Sequence, residues 1–249
     1  MAETEIRAMI LAAGLGTRMQ KAGESRPKPL FRVCGRPLIH YPLMLLARAG
    51  FSEVVINLHH RGDELRKELG ASALGMKIVY LFEPEILGTG GGVRNADKHF
   101  PAPAWLTINA DTIAELELKD LIAFHQKHDP LATMVLSQKQ IGKFHPVFAD
   151  RQGRVRGIGT KPAGTGPELA VSLFNFCGIQ LLKRELLDYL PVGFSKMVED
   201  GYLKALNAGR EIKGYIFSGL WRTVDTPAAG REAEEEMCAC PPRIFEFIK

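Results

Sequence analysis

Apolar and polar positions follow a regular rhythm over the first 137 residues. Ile6–Leu11 is a short apolar run ending in a glycine-rich turn, and Val54–Leu58 is a second, β-branched run. Between them Pro37–Ala49 is apolar at helical spacing; Pro37 suits the first turn and Gly50 the stop. The pattern then predicts a polar helix near Gly62–Leu69, a strand at Lys77–Phe82 and a glycine-started helix at Gly90–His99. A strand at Trp105–Asn109, a helix at Leu118–His128 and a strand at Ala132–Ser137 follow. Strands separated by helices of about ten to fifteen residues read as βαβ units on a parallel sheet. The expected fold class is therefore α/β, a Rossmann-like, doubly wound, mixed and mainly parallel sheet.

The second half reads differently. Pro146–Ala149 and Val155–Gly159 are short strands joined by the turn sequence Asp150-Arg151-Gln152-Gly153. Leu173–Leu182 is a strong strand, Leu186 onward is helical, and Ile212–Phe217 with Leu220–Val224 form a last pair of strands before a helix from Pro227. No Ser/Pro/Gly linker separates the halves. The expectation is one domain over 1–237, with an α/β part to about 137 and a β-rich extension from 138, followed by a tail, 238–249.

Composition narrows the classes further. At 249 residues, and roughly 150 per domain, the count lies between one and two. Hydrophobic residues make up 46% of the chain, which excludes a disordered or collagen-like protein. A net charge of +4 from 32 Lys+Arg and 28 Asp+Glu argues against nucleic acid as a partner but leaves room for a local basic site. The longest uncharged run, Leu169 to Leu182, is shorter than the roughly 18 residues a membrane span needs. Glu3 and Glu5 make a poor signal peptide. Cys34, Cys177, Cys238 and Cys240 form no Cys-x-x-Cys pair and read as reduced thiols of a cytoplasmic protein. The histidines lack a glutamate at ligand spacing and read as exposed or capping groups.

The chemistry concentrates after the first strand, in Leu11-Ala12-Ala13-Gly14-Leu15-Gly16-Thr17-Arg18-Met19. Small residues let backbone approach a ligand closely, and successive amides there cradle phosphate oxygens. It is neither a P-loop, lacking Gly-Lys-Ser/Thr, nor a dinucleotide fingerprint, because Met19 holds the third glycine position. Instead Arg18 follows the loop directly and Lys28 comes soon after, in Arg26-Pro27-Lys28-Pro29-Leu30. Two cations beside such a loop suggest a triphosphate clamp.

These residues, with Gly35-Arg36-Pro37-Leu38-Ile39, resemble the signature of the sugar-1-phosphate nucleotidyltransferases, and the resemblance runs from Ala8 to about Glu236. It implies transfer of a nucleotidyl group from a nucleoside triphosphate to a sugar 1-phosphate, with release of pyrophosphate. By that resemblance Leu11, Ala12, Ala13, Gly14, Gly16 and Thr17 hold base and phosphates, and Arg18 and Lys28 bind the triphosphate and the charge developing on transfer. Leu87-Gly88-Thr89-Gly90-Gly91-Gly92 matches the loop that meets the base edge, looking closest to uridylyl- and guanylyl-transferring members. Three glycines opening a helix cost stability, so close ligand approach is the expected reason for them. Glu83 is a further candidate for reading base or sugar.

Asp111, in Asn109-Ala110-Asp111 at a strand end, matches the aspartate that binds Mg²⁺ in the family; one or two carboxylates suffice for that ion. The second carboxylate departs from the pattern, since Trp221-Arg222-Thr223-Val224-Asp225 has Thr223 where Asp is usual. Asp225 either supplies that carboxylate or caps the helix beginning at Pro227. On the sugar side, Lys161 in Arg154–Pro162 matches the lysine that holds the sugar phosphate, while Thr160 replaces the family's glutamate. Asn175, in Phe174–Ile179, is either a sugar contact or a strand-edge amide satisfied by backbone. Two rival readings use the same residues: a cytidylyltransferase acting on a polyol or other phosphate, and a catalytically inactive nucleotide-sugar sensor, for which Thr223 speaks.

Overall fold

The computed structural model describes residues 5–139, 146–159 and 171–239. Strand β1 (Ile6–Leu11) leads through the glycine-rich loop to a short helix α1 (Thr17–Lys21). A hairpin of two-residue strands, β2 (Arg32–Val33) and β3 (Arg36–Pro37), precedes helix α2 (His40–Ala49). Then come β4 (Glu53–Leu58), α3 (Gly62–Leu69), β5 (Ser72–Ala73), β6 (Met76–Phe82) and α4 (Gly88–His99). β7 (Ala104–Asn109), β8 (Thr112–Ala114), α5 (Leu118–His128) and β9 (Ala132–Ser137) follow. After them lie β10 (Pro146–Asp150), β11 (Val155–Ile158) and the long β12 (Val171–Lys183). A 3₁₀ stretch at Arg184–Tyr189 precedes a π-helical turn, Met197–Tyr202, that continues into α6 (Leu203–Asn207). β13 (Ile212–Ile216), β14 (Trp221–Thr223) and α7 (Pro227–Ala239) end the described chain. The fold is mixed α/β, mainly parallel at its centre with a β-rich part, as the alternation of patterns predicts. No helix among the described residues is long and apolar enough to cross a membrane.

The chain groups into two compact units. The first comprises Ala8–Ile86, Ile108–Leu118 and the chain from Gly219. Here β1 pairs in parallel with β4, and β4 with β6, because the intervening α2 and α3 bring each strand back to the same end. β8 and β14 form a separate antiparallel pair. Met19, Val33, Leu38, Tyr41, Met44, Ile113, Val224, Ala233 and Met237 make one buried cluster that seats α7 against α1, α2 and the β2–β3 hairpin. Pro37, expected in the first helical turn, belongs to this hairpin instead. Cys34 and Gly35 take positive φ (47° and 72°), the geometry of a type I′ turn, which lays Pro37 opposite Arg32.

The second unit comprises Leu87–Thr107, Lys119–Ser218 and the start of β1. β11, β10, β12 and β9 pair antiparallel in that order, and β13 joins β9 in parallel. The strands read from sequence as a last pair, β13 and β14, thus find different partners. β12 bulges between Phe176 and Gln180, where Gly178 has φ 74°, and so bends across its neighbours. Behind it runs a buried polar chain: the Tyr202 hydroxyl donates to Gln180 Oε1, and Gln180 Nε2 to Thr107 Oγ1.

His125 is another departure, being buried rather than exposed, with Nδ1 2.8 Å from Thr133 Oγ1. Burial, reinforced by Lys183, pushes its pKa down to about 4, with Asp129 opposing. The unfolded chain therefore binds the extra proton first, and this contribution to stability is complete above about pH 6.5 and lost as pH falls towards 4. The unfolding free energy from urea titration is expected to drop between pH 7 and pH 4.5 by up to about 1.4 kcal/mol per pH unit, with a shallower slope in His125→Gln. Equal slopes in the two proteins would remove His125 from the account.

Candidate active site

The glycine-rich loop is anchored before it meets any ligand. Leu11 O accepts from Ala110 N at 3.1 Å, and Ala12 N donates to Asn57 Oδ1 at 2.8 Å. Asn57, at 2% exposure, in turn donates through Nδ2 to Glu83 Oε1 at 2.8 Å. Glu83 is fully buried, and its carbonyl oxygen is 2.8 Å from His59 Nδ1. The Glu83 carboxylate therefore braces β4 against the loop, and the Ala12 amide is already engaged. Nothing in the sequence singled out Asn57 except its polarity within an apolar run. Gly16 takes φ 62°, and a Cβ there would lie 3.1 Å from Lys28 Cβ, so glycine lets the loop close over the lysine. A small cleft beside it is lined by Ala12, Gly14, Leu15, Lys28, His59 and His60.

Lys28 is the centre of the site. Prolines at 27 and 29 hold its 3₁₀ turn, and its ammonium donates to both Asp111 Oδ2 and Asp225 Oδ1. Asp111 follows β7; Val224 N donates to Asp111 O at 3.1 Å, continuing the β8–β14 ladder. That register brings Asp225 to Asp111. Arg18 NH1 donates to Asp225 Oδ2 at 2.8 Å, while its side chain stays 69% exposed. Burial pulls the Lys28 ammonium down, but attraction to Asp111 and Asp225 outweighs it and holds the group above the ordinary lysine value. Of the two sequence readings of Asp225, the helix cap is taken by its neighbour: Thr226 Oγ1 accepts from Ala229 N at 3.2 Å. Asp225 thus faces the cluster.

The donor set suits a hard divalent cation. Asp111 Oδ1 is buried without a hydrogen-bond partner, leaving a carboxylate lone pair unsatisfied next to a second carboxylate. No group of three or more His, Cys, Asp and Glu suited to a metal occurs among the described residues. Two carboxylates match Mg²⁺, which takes its other ligands from phosphates and water.

Gly88, Gly90 and Gly91 each face a close neighbour within the chain. A Cβ at Gly91 would lie 2.3 Å from Gly193 O, and one at Gly88 2.5 Å from Ser195 O. At Gly90 it would meet Leu190 Cδ2 and Ser195 Oγ, both at 2.8 Å. A neighbour that requires glycine at 88, 90 and 91 is the segment 190–195 of the same unit. Ser195 O also accepts from Gly90 N and Gly91 N, Ser195 N donates to Leu87 O, and Met197 N donates to Thr89 Oγ1. The first-turn amides of α4 at Gly90 and Gly91 are therefore occupied, Leu87 is held by Ser195, and Thr89 by Met197 at the start of the π-helical turn.

On the sugar side, Thr160 and Lys161 lie outside the described residues. Asn175 is 5% exposed, and its Nδ2 donates to Lys139 O at 2.6 Å, the backbone-satisfied alternative.

The nucleotidyl transferase family profile matches residues 7–239. The chain belongs to that family. Among its family relatives, mannose-1-phosphate guanylyltransferase of Mycobacterium tuberculosis is 29% identical over 233 residues, 91% of this chain and 63% of the relative. N-acetylmuramate alpha-1-phosphate uridylyltransferase of Neisseria meningitidis is 29% identical over 232 residues, 92% of this chain and 97% of the relative. The crystal structure of HddC from Yersinia pseudotuberculosis shares the fold at TM-score 0.77 and 23% identity, covering 93% of this chain and 99% of that one. The chain spans about three fifths of several curated relatives, 59% and 63% for two guanylyltransferases.

Proposed function

We propose that this nucleotidyl transferase family member moves a nucleotidyl group from a nucleoside triphosphate to a sugar 1-phosphate and releases pyrophosphate. The observation that carries this reading is Lys28 joining Asp111 and Asp225, with Arg18 on the same carboxylate. A sugar phosphate is largely dianionic near pH 7, its second pKa being about 6, so it attacks the α-phosphorus without a general base. The protein's work is alignment and neutralisation of crowded negative charge. Arg18 has one of its five N–H donors on Asp225 and, among the described residues, no partner on the others, and Lys28 sits at the mouth of the glycine-rich loop. Asp111 and Asp225 would hold Mg²⁺, which when bound supplies further positive charge to the phosphates. Relatives named as guanylyl- and uridylyltransferases of sugar phosphates support the substrate class.

Pyrophosphate release across a matrix of UTP, GTP, CTP and dTTP against hexose and polyol phosphates tests this. We expect turnover with at least one sugar 1-phosphate, none without the divalent cation, and a loss of about 10²-fold or more in Asp111→Asn. Activity confined to a polyol phosphate would favour the cytidylyltransferase reading. Triphosphate binding without turnover across the matrix would favour the sensor.

A further inference from the structure

The turn between β2 and β3 puts a cysteine where the backbone favours another residue. Cys34 has φ 47° at the first central position of a type I′ turn, where Asn, Asp and Gly are preferred. A residue kept in left-handed backbone against its own preference points to a use for its side chain. Far along the chain, Cys238 lies near the end of α7, one helical turn after Glu234. Glu234 Oε1 accepts from Cys34 N at 2.6 Å, and Cys238 lies close enough for its side chain to push the Cys34 thiol upward. Both thiols belong to exposed residues, whereas Cys177 is buried at 1% exposure. Val33 beside the turn and Ala233 and Met237 on α7 belong to one packed cluster, so the approach of the two cysteines is held from both sides.

We propose that Cys34 and Cys238 form a reversible disulfide with a low-molecular-weight disulfide as oxidant, stapling α7 to the β2–β3 turn. One protein thiolate attacks a sulfur of the reagent, breaking its S–S bond and releasing one small thiolate. The other protein thiolate then attacks the protein sulfur of that mixed disulfide and releases the second. Two protein thiols are oxidised, one reagent disulfide is reduced to two thiols, and the two protein protons end on the released thiolates. Burial, then Cys238 and Glu234, push the Cys34 thiol above its ordinary pKa, so reaction runs through a small thiolate fraction and the pair resists casual modification. Because Cys34 already meets Glu234, one helical turn before Cys238, the two cysteines are neighbours in the conformation that carries the Lys28 cluster. α7 begins two residues after Asp225, so the staple preserves that arrangement rather than breaking it.

The full chain is incubated with oxidised glutathione and mapped by mass spectrometry under non-reducing conditions. The expected product is a Cys34 peptide linked to a Cys238 peptide, with a rise of several degrees in melting temperature that dithiothreitol reverses. Both effects are expected to vanish in Cys34→Ser and in Cys238→Ser, and to persist in Cys240→Ser. Triphosphate binding is expected to be equal in oxidised and reduced protein. A glutathione adduct alone, a link to Cys240 instead, or a linked product without the rise in melting temperature would overturn the proposal. Because mapping and melting need no catalysis, this outcome is independent of the proposed reaction.

Discussion

Lys28→Met is expected to lower turnover by about 10²–10³-fold, the loss seen when one donor to developing charge is removed from a preorganised site. Methionine keeps most of the stem and removes the ammonium that joins Asp111 to Asp225. Two carboxylates are then left facing each other with Arg18 alone on Asp225. Like charges about 5 Å apart at an effective dielectric near 20 repel by roughly 3 kcal/mol, so the variant is also expected to melt earlier. A double-mutant cycle separates the two effects. Adding Asp111→Asn to Lys28→Met removes one charge of the repelling pair, and should recover much of the melting temperature while leaving turnover low. Lys28→Arg is expected to recover little, because a planar fork does not replace a compact ammonium between two acids. Turnover within tenfold of wild type in Lys28→Met would falsify the role assigned to the lysine.

Gly91→Ala is expected to destabilise by about 2–4 kcal/mol, because its Cβ would lie 2.3 Å from Gly193 O and 3.1 Å from Leu87 Cβ. Neither neighbour is the free end of a flexible chain, so backbone must shift. For a chain of this size each kcal/mol moves the melting temperature by about 2–4 °C, giving a fall on the order of 5–15 °C. Gly14→Ala is the contrast, since nothing lies within 4 Å of a Cβ built there. It should melt like wild type and show a raised KM for triphosphate. If Gly91→Ala instead melts normally and only KM rises, the glycines serve a ligand after all.

Where a segment's apolar period is long and its ends carry clear stops, sequence and structure agree to the residue: Leu118–His128 and Ala132–Ser137 are examples. The β2–β3 hairpin was illegible because two-residue strands have no period to read, and a cysteine in left-handed backbone hides the turn. The partners of β13 and β14 were equally hidden, since a strand's own pattern reports which face is buried but not which strand lies beside it. In the site, Arg18, Lys28 and Asp111 stood out because charged residues flank small-residue loops and strand ends. Asn57 did not, because its work is to hold the Ala12 amide and the Glu83 carboxylate, and neither contact leaves a mark at fixed spacing.

The residue types alone determined the α/β class, the glycine-rich loop after the first strand, and the presence of cations near it, because these follow from period, backbone freedom and charge within short windows. Only the tertiary structure decided the fate of Asp225 and of the glycines at 88–91. Asp225 turns to Lys28 because the β8–β14 register carries it to Asp111 and Thr226 takes the helix cap. Gly91 is glycine because segment 190–195 packs against it. Both depend on contacts between residues some eighty or more positions apart in the chain, and no local pattern encodes which distant carbonyl or carboxylate will be there.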